Sequence, residues 1–151
     1  MDPSALAFSA KISTIIHATE DPEKVAKAIR NLSLGGMPLG PTLNRAKGHH
    51  GNEIVTMVFT IRNAKNVEGF LRNTWKGLSQ LDRTEVHSSL TSRIDNAGTL
   101  FLRIDKQEAL KGRIRLQDTD PIKIAISFRR ISPKGDGFVD NIQKKLEEIQ
   151  R

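Results

Sequence analysis

The chain has 151 residues and a formal net charge of +7 at pH 7, because 24 lysines and arginines outnumber 17 aspartates and glutamates. A hydrophobic fraction of 37% and a charged fraction of 27% suit one domain with a packed core and exclude global disorder. The lack of cysteine excludes disulfides, thiolate zinc sites and cysteine nucleophiles, and it favours a reducing cytoplasm. The N-terminus lacks the pattern of a signal peptide or a membrane span, so we expect a cytoplasmic protein without membrane contact.

The first third of the chain predicts a strand, a helix and a long loop. Apolar and polar side chains alternate from residue 6 to residue 17, which is the pattern of a strand with one buried face. Asp21 is a natural N-cap with Pro22 at the first helical position, and apolar residues recur at helical spacing as far as Leu32. Residues 33–52 contain five glycines and two prolines, which predicts a glycine-rich loop of unusual length.

The middle of the chain predicts a second strand followed by two helical segments. Residues 53–62 alternate in the manner of a strand, and Asn63 can cap the helix that follows. Apolar residues then lie at helical spacing up to Leu78, and a weaker helical pattern covers residues 81–94.

The stretch from Arg103 to Lys134 combines strand patterning with positive charge. It holds nine basic residues against four acidic ones. Apolar side chains alternate with small or basic ones over residues 122–129 and again over residues 113–116, so we predict a hairpin with its turn at residues 117–121. A strand with the same alternation precedes it at residues 100–104. If these strands share a sheet, one face is apolar and the other is basic.

The predicted strands and helices alternate too rarely along the chain for a doubly wound parallel sheet. Consecutive strands near the end favour antiparallel pairing, and an amphipathic helix over residues 136–151 completes the chain. We therefore expect an α+β fold with two layers, in which helices cover one face of a mostly antiparallel sheet. Residues 1–151 would form a single domain.

The basic face of the predicted sheet is the main candidate site, because a phosphate backbone favours a surface rich in lysine and arginine. Its alternatives are an ordinary solvated face and a face covered by the C-terminal helix. With one well-placed aromatic ring, contacts to the RNA backbone are more plausible than extensive base stacking. The predicted RNA-binding residues are Arg103, Lys106, Arg113, Arg115, Lys123, Arg129, Arg130 and Phe101, with Arg45 and Lys47 from the glycine-rich loop.

Other motifs give no comparable signal. The adjacent His49 and His50 have no third ligand at a recognised spacing, so we predict no metal site there. Gly35, Gly36 and Gly40 lack the Gly-Lys-Ser/Thr ending of a phosphate loop. No pairing of a nucleophile with a base is evident, and we therefore expect a protein that is not an enzyme and needs no cofactor.

The basic stretch also carries a family resemblance. Residues 100–109 read LFLRIDKQEA, Gly112 follows, and residues 120–124 read DPIKI. These motifs look like those of the archaeal RNA-binding proteins described as predicted exosome subunits. Three shorter segments agree and extend the resemblance over most of the chain: residues 17–21, 48–52 and 93–95.

The resemblance implies an α+β fold similar to that of the ribosomal protein that binds 5S RNA. It also implies RNA binding and a role in RNA processing, and it brings no catalytic residues with it. The chain departs from the family pattern at Glu53, where proline is frequent, and at Leu110, where an aromatic residue is common.

Three hypotheses follow for the function. The first is a non-catalytic RNA-binding protein of ribosomal or exosome-linked RNA metabolism, with RNA and components of those complexes as partners. The second is a protein-interaction or assembly factor whose RNA contact is incidental. The third is a small RNA-processing enzyme, which would need a cluster of acids or histidines that the sequence does not indicate.

Overall fold

A computed structural model of the protein describes residues 6–33, 40–129 and 137–149. The described residues contain five strands and six helices. In chain order they are β1 (Leu6–Ile16), α1 (Pro22–Arg30), β2 (Thr42–Lys47), β3 (Glu53–Ile61), α2 (Ala64–Gly77), α3 (Gln80–Ser88), α4 (Leu90–Arg93), β4 (Thr99–Asp105), α5 (Lys106–Leu110), β5 (Pro121–Arg129) and α6 (Phe138–Ile149).

The five strands form one sheet in the order β2-β3-β1-β5-β4, and every neighbouring pair is antiparallel. The sheet is open, with β2 and β4 as the outer named strands. The α+β fold with an antiparallel sheet that the sequence predicts is therefore confirmed. Within the described residues, no helix has the length and apolar character that would let it cross a membrane.

One face of the sheet packs against the helices to form the core. Ile12 of β1 pairs with Phe59 of β3 on one side and with Ile124 of β5 on the other, and all three are at most 1% exposed. The helices bury their apolar stripes against this row, with Ile29 of α1 and Trp75 of α2 fully buried. Side chains of a strand alternate between the two faces of a sheet. Because the apolar side chains of these strands lie on the face covered by helices, the side chains between them lie on the opposite face.

The C-terminal helix α6 belongs to this helical layer. Its apolar residues Ile142, Leu146 and Ile149 join the core, and the ammonium of Lys145 lies 2.8 Å from the carboxylate of Glu68 in α2. Glu68 also accepts a hydrogen bond from the backbone N–H of Ala7 in β1. Helix α6 therefore lies on the opposite side of the sheet from the basic face.

The helix starts follow the capping residues that the sequence indicates. The Asp21 side chain accepts a hydrogen bond from the backbone N–H of Glu23, with Pro22 in the first turn. The Asn63 side chain likewise accepts hydrogen bonds from the N–H groups of Lys65 and Asn66 at the start of α2.

The prediction of an uninterrupted loop over residues 33–52 is wrong for its second half. Thr42–Lys47 is a strand, β2, which pairs with β3 from Thr42 and Val58 to Lys47 and Glu53. Every residue of β2 is exposed. Because the strand buries no face, its sequence lacks the apolar alternation by which a strand is recognised. Its hairpin turn includes Gly51, whose φ of +79° favours glycine. Residues 34–39 lie outside the described part.

The predicted hairpin between residues 113–116 and 122–129 is also wrong. Strand β5 pairs with β1 and β4, which occupy both of its edges. The segment at residues 113–116 instead passes along the outer edge of β4 and touches it at one isolated bridge, between Leu116 and Ile104. The two longer strands satisfy more backbone hydrogen bonds along β5 than a four-residue partner could.

Candidate nucleic-acid interface

The sheet face opposite the helices, called the open face below, is bare in the described part of the chain. Strand pairing defines its positions. They are Ser9, Lys11, Ser13 and Ile15 in β1; Thr42, Asn44 and Ala46 in β2; Ile54, Thr56, Val58 and Thr60 in β3; Thr99, Phe101 and Arg103 in β4; and Lys123, Ala125, Ser127 and Arg129 in β5.

Three cations meet in the half of the open face formed by β1, β5 and β4. Lys123 lies between Ser13 of β1 and Arg103 of β4, its two directly paired neighbours. Lys11 lies two residues before Ser13 on the same strand, and it pairs with Ala125 of β5. Neighbouring strands are about 4.8 Å apart, so the three side chains are near neighbours on one surface. We call Lys11, Arg103 and Lys123 the basic triad.

No acidic side chain interrupts the described positions of the open face. The row of β4 side chains continues to Asp105, but that carboxylate accepts a hydrogen bond from the N–H of Glu108 and caps α5. Asp118 and Asp120 line a second hollow at the rim of this face, together with Arg103 and Lys123. Asp120 is already held by His17 and Lys106, so the basic triad still presents positive charge to an external anion, which a phosphate backbone supplies.

Phe101 and Arg129 extend this surface. The Phe101 ring is 45% exposed and borders the same shallow hollow as Lys11, Arg103 and Lys123. Arg129 lies at the end of β5, with its guanidinium 5.0 Å from the centre of the Phe8 ring, an arrangement that holds the cation on the surface. Arg130 lies outside the described residues.

The sequence prediction omitted Lys11 from the site. The alternation of residues 6–17 already placed Lys11 on the more polar side of its strand. What the sequence did not reveal is that β1 is the central strand and that it pairs directly with β5. This long-range pairing brings Lys11 next to Arg103 and Lys123.

Arg113 and Arg115 do not join the basic triad. They line a cleft in the helical layer together with Asn31, Asn73 and Lys76. Both guanidinium groups face the carboxylate of Glu108 in α5, at 3.5 Å for Arg113 and 4.0 Å for Arg115. The two arginines lie here because residues 113–116 run along the outer edge of β4 and do not pair with β5.

Arg45 and Lys47 lie on the hairpin formed by β2 and β3, at the far edge of the sheet. Their pairing with Val55 and Glu53 directs them away from the open face, although both are exposed. Arg45 forms an ion pair with Glu53. The two residues would reach an RNA only if it extended past the sheet edge.

Lys106 is buried, which the sequence prediction of a surface contact did not anticipate. Its side chain is 4% exposed, and its ammonium donates to the carbonyl of Ile15 at 2.8 Å. It also lies 3.2 Å from the Glu20 carboxylate and 3.0 Å from that of Asp120. Lys106 thus ties α5 to the end of β1 and to the turn before β5, and it cannot reach a ligand on the open face.

His17 completes this charged cluster at the rim of the open face. Its Nε2 atom lies 2.8 Å from the Asp120 carboxylate and 3.9 Å from that of Glu20. The histidine and the two carboxylates have the donor atoms of a metal site. The Lys106 ammonium already contacts both carboxylates, and it offsets one of their two negative charges without a metal.

The cluster predicts a loss of stability in acid. Burial raises the pKa of Asp120, but hydrogen bonds from His17 and Lys106 and the charge of Lys106 outweigh it and lower that pKa below its ordinary 3.8. The ionised carboxylate therefore stabilises the fold above about pH 3.8, and this contribution disappears as the pH falls through the lowered value. Thermal unfolding at several pH values should show a weaker acid dependence for Asp120→Asn than for the parent.

The matched control for that experiment is Asp118→Asn, two residues away in the same turn. Asp118 is exposed, and no side-chain contact ties it to the cluster. If Asp120→Asn and Asp118→Asn change the acid dependence of the unfolding temperature equally, the contribution of the cluster to stability is refuted.

These features define a class: a small α+β protein whose antiparallel sheet presents an open face with three clustered cations. The chain belongs to the RNA-binding family, whose model matches residues 9–128. It is 30% identical over 145 residues to the RNA-binding protein PAB1135 of Pyrococcus abyssi, a match that covers 93% of this chain and 94% of the relative.

Solved structures of archaeal proteins share the fold. Protein AF2318 of Archaeoglobus fulgidus superposes with a TM-score of 0.74 at 28% identity, over 95% of this chain and 99% of that protein. Mth689 of Methanothermobacter thermautotrophicus, described as a DUF54 protein, gives the same TM-score at 25% identity, over 96% and 98% of the two chains. The likeness covers essentially the whole of each chain.

Proposed function

We propose that this protein is a non-catalytic RNA-binding protein whose open sheet face holds the phosphate backbone of RNA. One observation carries the proposal: the basic triad gathers three cations from three adjacent strands on the open face. Such a surface attracts a polyanion because each neutralised phosphate releases condensed counterions. Membership of the RNA-binding family supports the same ligand class.

The make-up of the open face favours backbone contacts over base reading. Among the described residues, Phe101 is the one exposed aromatic ring beside the basic triad, so it offers a stacking platform for about one base. Ser13, Ser127 and Thr99 supply hydroxyl groups that can hydrogen-bond to phosphate or ribose oxygens. We therefore expect strong salt dependence and modest sequence preference.

The biological setting that we propose is RNA processing linked to the exosome or the ribosome. It is supported by the resemblance of residues 100–109 and 120–124 to archaeal proteins described as predicted exosome subunits. The name of the Pyrococcus relative supports RNA binding alone. Components of either complex are thus the candidate partners.

A second candidate function is an assembly factor that binds another protein. It is favoured by two exposed isoleucines, Ile15 at 41% and Ile54 at 39%. Both lie on the open face, because Ile15 pairs with Thr56, two residues from Ile54. This apolar pair lies toward the β2–β3 hairpin, on the side away from β4.

Ribonuclease treatment separates the two functions. If RNA contact is primary, recovery of exosome or ribosomal components with the tagged protein should fall sharply after digestion, because RNA forms the bridge. If the protein is an assembly factor, the partners should survive digestion and disappear when Ile15 and Ile54 are replaced by serine. Persistence of the complex after complete digestion at moderate salt would overturn the RNA-first proposal.

A further inference from the structure

The cleft that contains Arg113 and Arg115 has no role in the function proposed above. It lies in the helical layer, between the last turn of α2 and the segment that follows α5, and has a volume of about 660 Å³. Its cations are Lys76, Arg113 and Arg115. None of these borders the hollow on the open face, so the molecule carries two separate basic surfaces.

We infer that this helix-side cleft is a second binding site for RNA phosphates, which lets one protein chain hold two RNA segments at once. The inference rests on the proposed RNA-binding function and deepens it. It assigns a bridging role to a protein whose sheet face and helical face each bind RNA.

The fold holds the two arginines at the surface of this cleft. Ile114, which separates them in sequence, is 8% exposed and packs directly over Gly77 at the end of α2. A Cβ atom on Gly77 would lie 2.5 Å from the Cδ1 atom of Ile114 and 3.1 Å from its Cγ1 atom. Glycine at this position lets Ile114 pack close to α2 without displacing its side chain, and burial of Ile114 directs its two neighbours outward.

Hydrogen bonds fix the rest of the cleft. The Asn31 side chain donates to the carbonyls of Ala109 and Leu110, which ties the end of α1 to α5. The Asn73 side chain donates to the carbonyl of Leu32. The walls that carry Arg113 and Arg115 are therefore pre-organised, which reduces the entropy cost of binding a ligand.

The charge balance of the cleft leaves capacity for an anion. Arg113 and Arg115 are both 63% exposed at the side chain, and the Glu108 carboxylate that faces them is only 19% exposed. A guanidinium has five N–H donors, so one shared carboxylate at 3.5 and 4.0 Å leaves most of the donors free. Lys76 adds a third positive charge. Arginine pairs well with phosphate oxygens because its planar fork can donate two parallel hydrogen bonds.

Binding stoichiometry tests the inference. Native mass spectrometry of the full chain with a short uridine oligonucleotide should show two oligonucleotides bound per protein. The double variant Arg113→Gln/Arg115→Gln should bind one, with the first binding constant changed less than about threefold because the open face is untouched. Lys76→Gln, a milder change in the same cleft, should weaken the second binding step alone.

The controls separate this inference from the proposed function. Lys65→Gln/Lys144→Gln removes two exposed charges elsewhere in the helical layer and should retain two oligonucleotides. If the cleft variants also retain two, or if the parent binds only one, the second site is refuted while the open-face proposal stands. If the variant that lacks the basic triad still binds two oligonucleotides per protein, the proposed function itself fails. Displacement of the second oligonucleotide by millimolar inorganic phosphate at constant ionic strength would identify a free-phosphate site and overturn the RNA assignment.

Discussion

Replacing Lys11, Arg103 and Lys123 together by glutamine should weaken the binding of single-stranded RNA roughly a hundredfold at about 0.1 M salt. The three residues are the whole basic triad, and Asp120, which shares a hollow with Arg103 and Lys123, keeps its contacts with His17 and Lys106 after their loss. Because these side chains project from the face opposite the core, the free energy of unfolding should change by no more than about 0.5 kcal/mol for each substitution.

The salt dependence gives the same prediction a second readout. A surface that neutralises four to six phosphates gives a slope of log affinity against log salt of about −0.7 per phosphate for a single strand. Removing the basic triad should therefore make the slope less steep by roughly 2. Fluorescence anisotropy at a series of salt concentrations measures both the affinity and the slope.

The matched control removes three exposed lysines of the helical layer: Lys27→Gln, Lys65→Gln and Lys144→Gln. It changes the net charge of the protein by the same amount, so it separates a local contact from general attraction to a polyanion. Equal losses in the two triple variants would show that the open face has no special part in binding.

Replacing Lys106 by methionine should destabilise the protein by about 3 kcal/mol. Methionine fills a similar volume, but it leaves the Ile15 carbonyl without its donor and the carboxylates of Glu20 and Asp120 without their cation. The cost is at the lower end of the range for a broken buried pair because the Asp120 side chain is 41% exposed. Thermal unfolding should shift down by roughly 6 to 12 °C.

Lys111→Met is the matched control for that substitution, since Lys111 follows α5 and its side chain is 64% exposed. It should leave the unfolding temperature nearly unchanged, because exposed ion pairs contribute little to stability. A similar unfolding temperature for the Lys106 variant and the parent would show that the buried cluster is not a structural tie. Below its unfolding transition, Lys106→Met should bind RNA as the parent does, since the buried ammonium does not reach the open face.

The sequence predicted those parts of the fold that local patterns specify. The alternation of apolar and polar residues in β1, β3, β4 and β5 follows directly from burial of one sheet face. Asp21 and Asn63 indicate the starts of the helices that they cap. The shared surface of Phe101, Arg103 and Lys123 follows from alternation as well. When β4 and β5 pair with their apolar side chains on one face, the side chains between them must lie together on the other face.

The errors arose where long-range pairing overrides local pattern. Strand β2 has no buried face, so backbone pairing with β3 alone makes it a strand. The alternation of residues 113–116 is real, since Ile114 is buried and its neighbours are exposed, but β1 and β4 already occupy the edges of β5. The burial of Lys106 depends on Glu20 and Asp120, and their approach to α5 is set by the tertiary fold.

Mapping of RNA crosslinks onto the chain tests the central claim most directly. The protein is irradiated with single-stranded RNA at low salt, and the modified peptides are identified by mass spectrometry. We expect crosslinks on β4 and β5 around Phe101 and Lys123, together with β1 around Lys11, and their loss when the basic triad is replaced. Crosslinks confined to the helical layer, with none in these three strands, would contradict the claim that the open sheet face binds RNA.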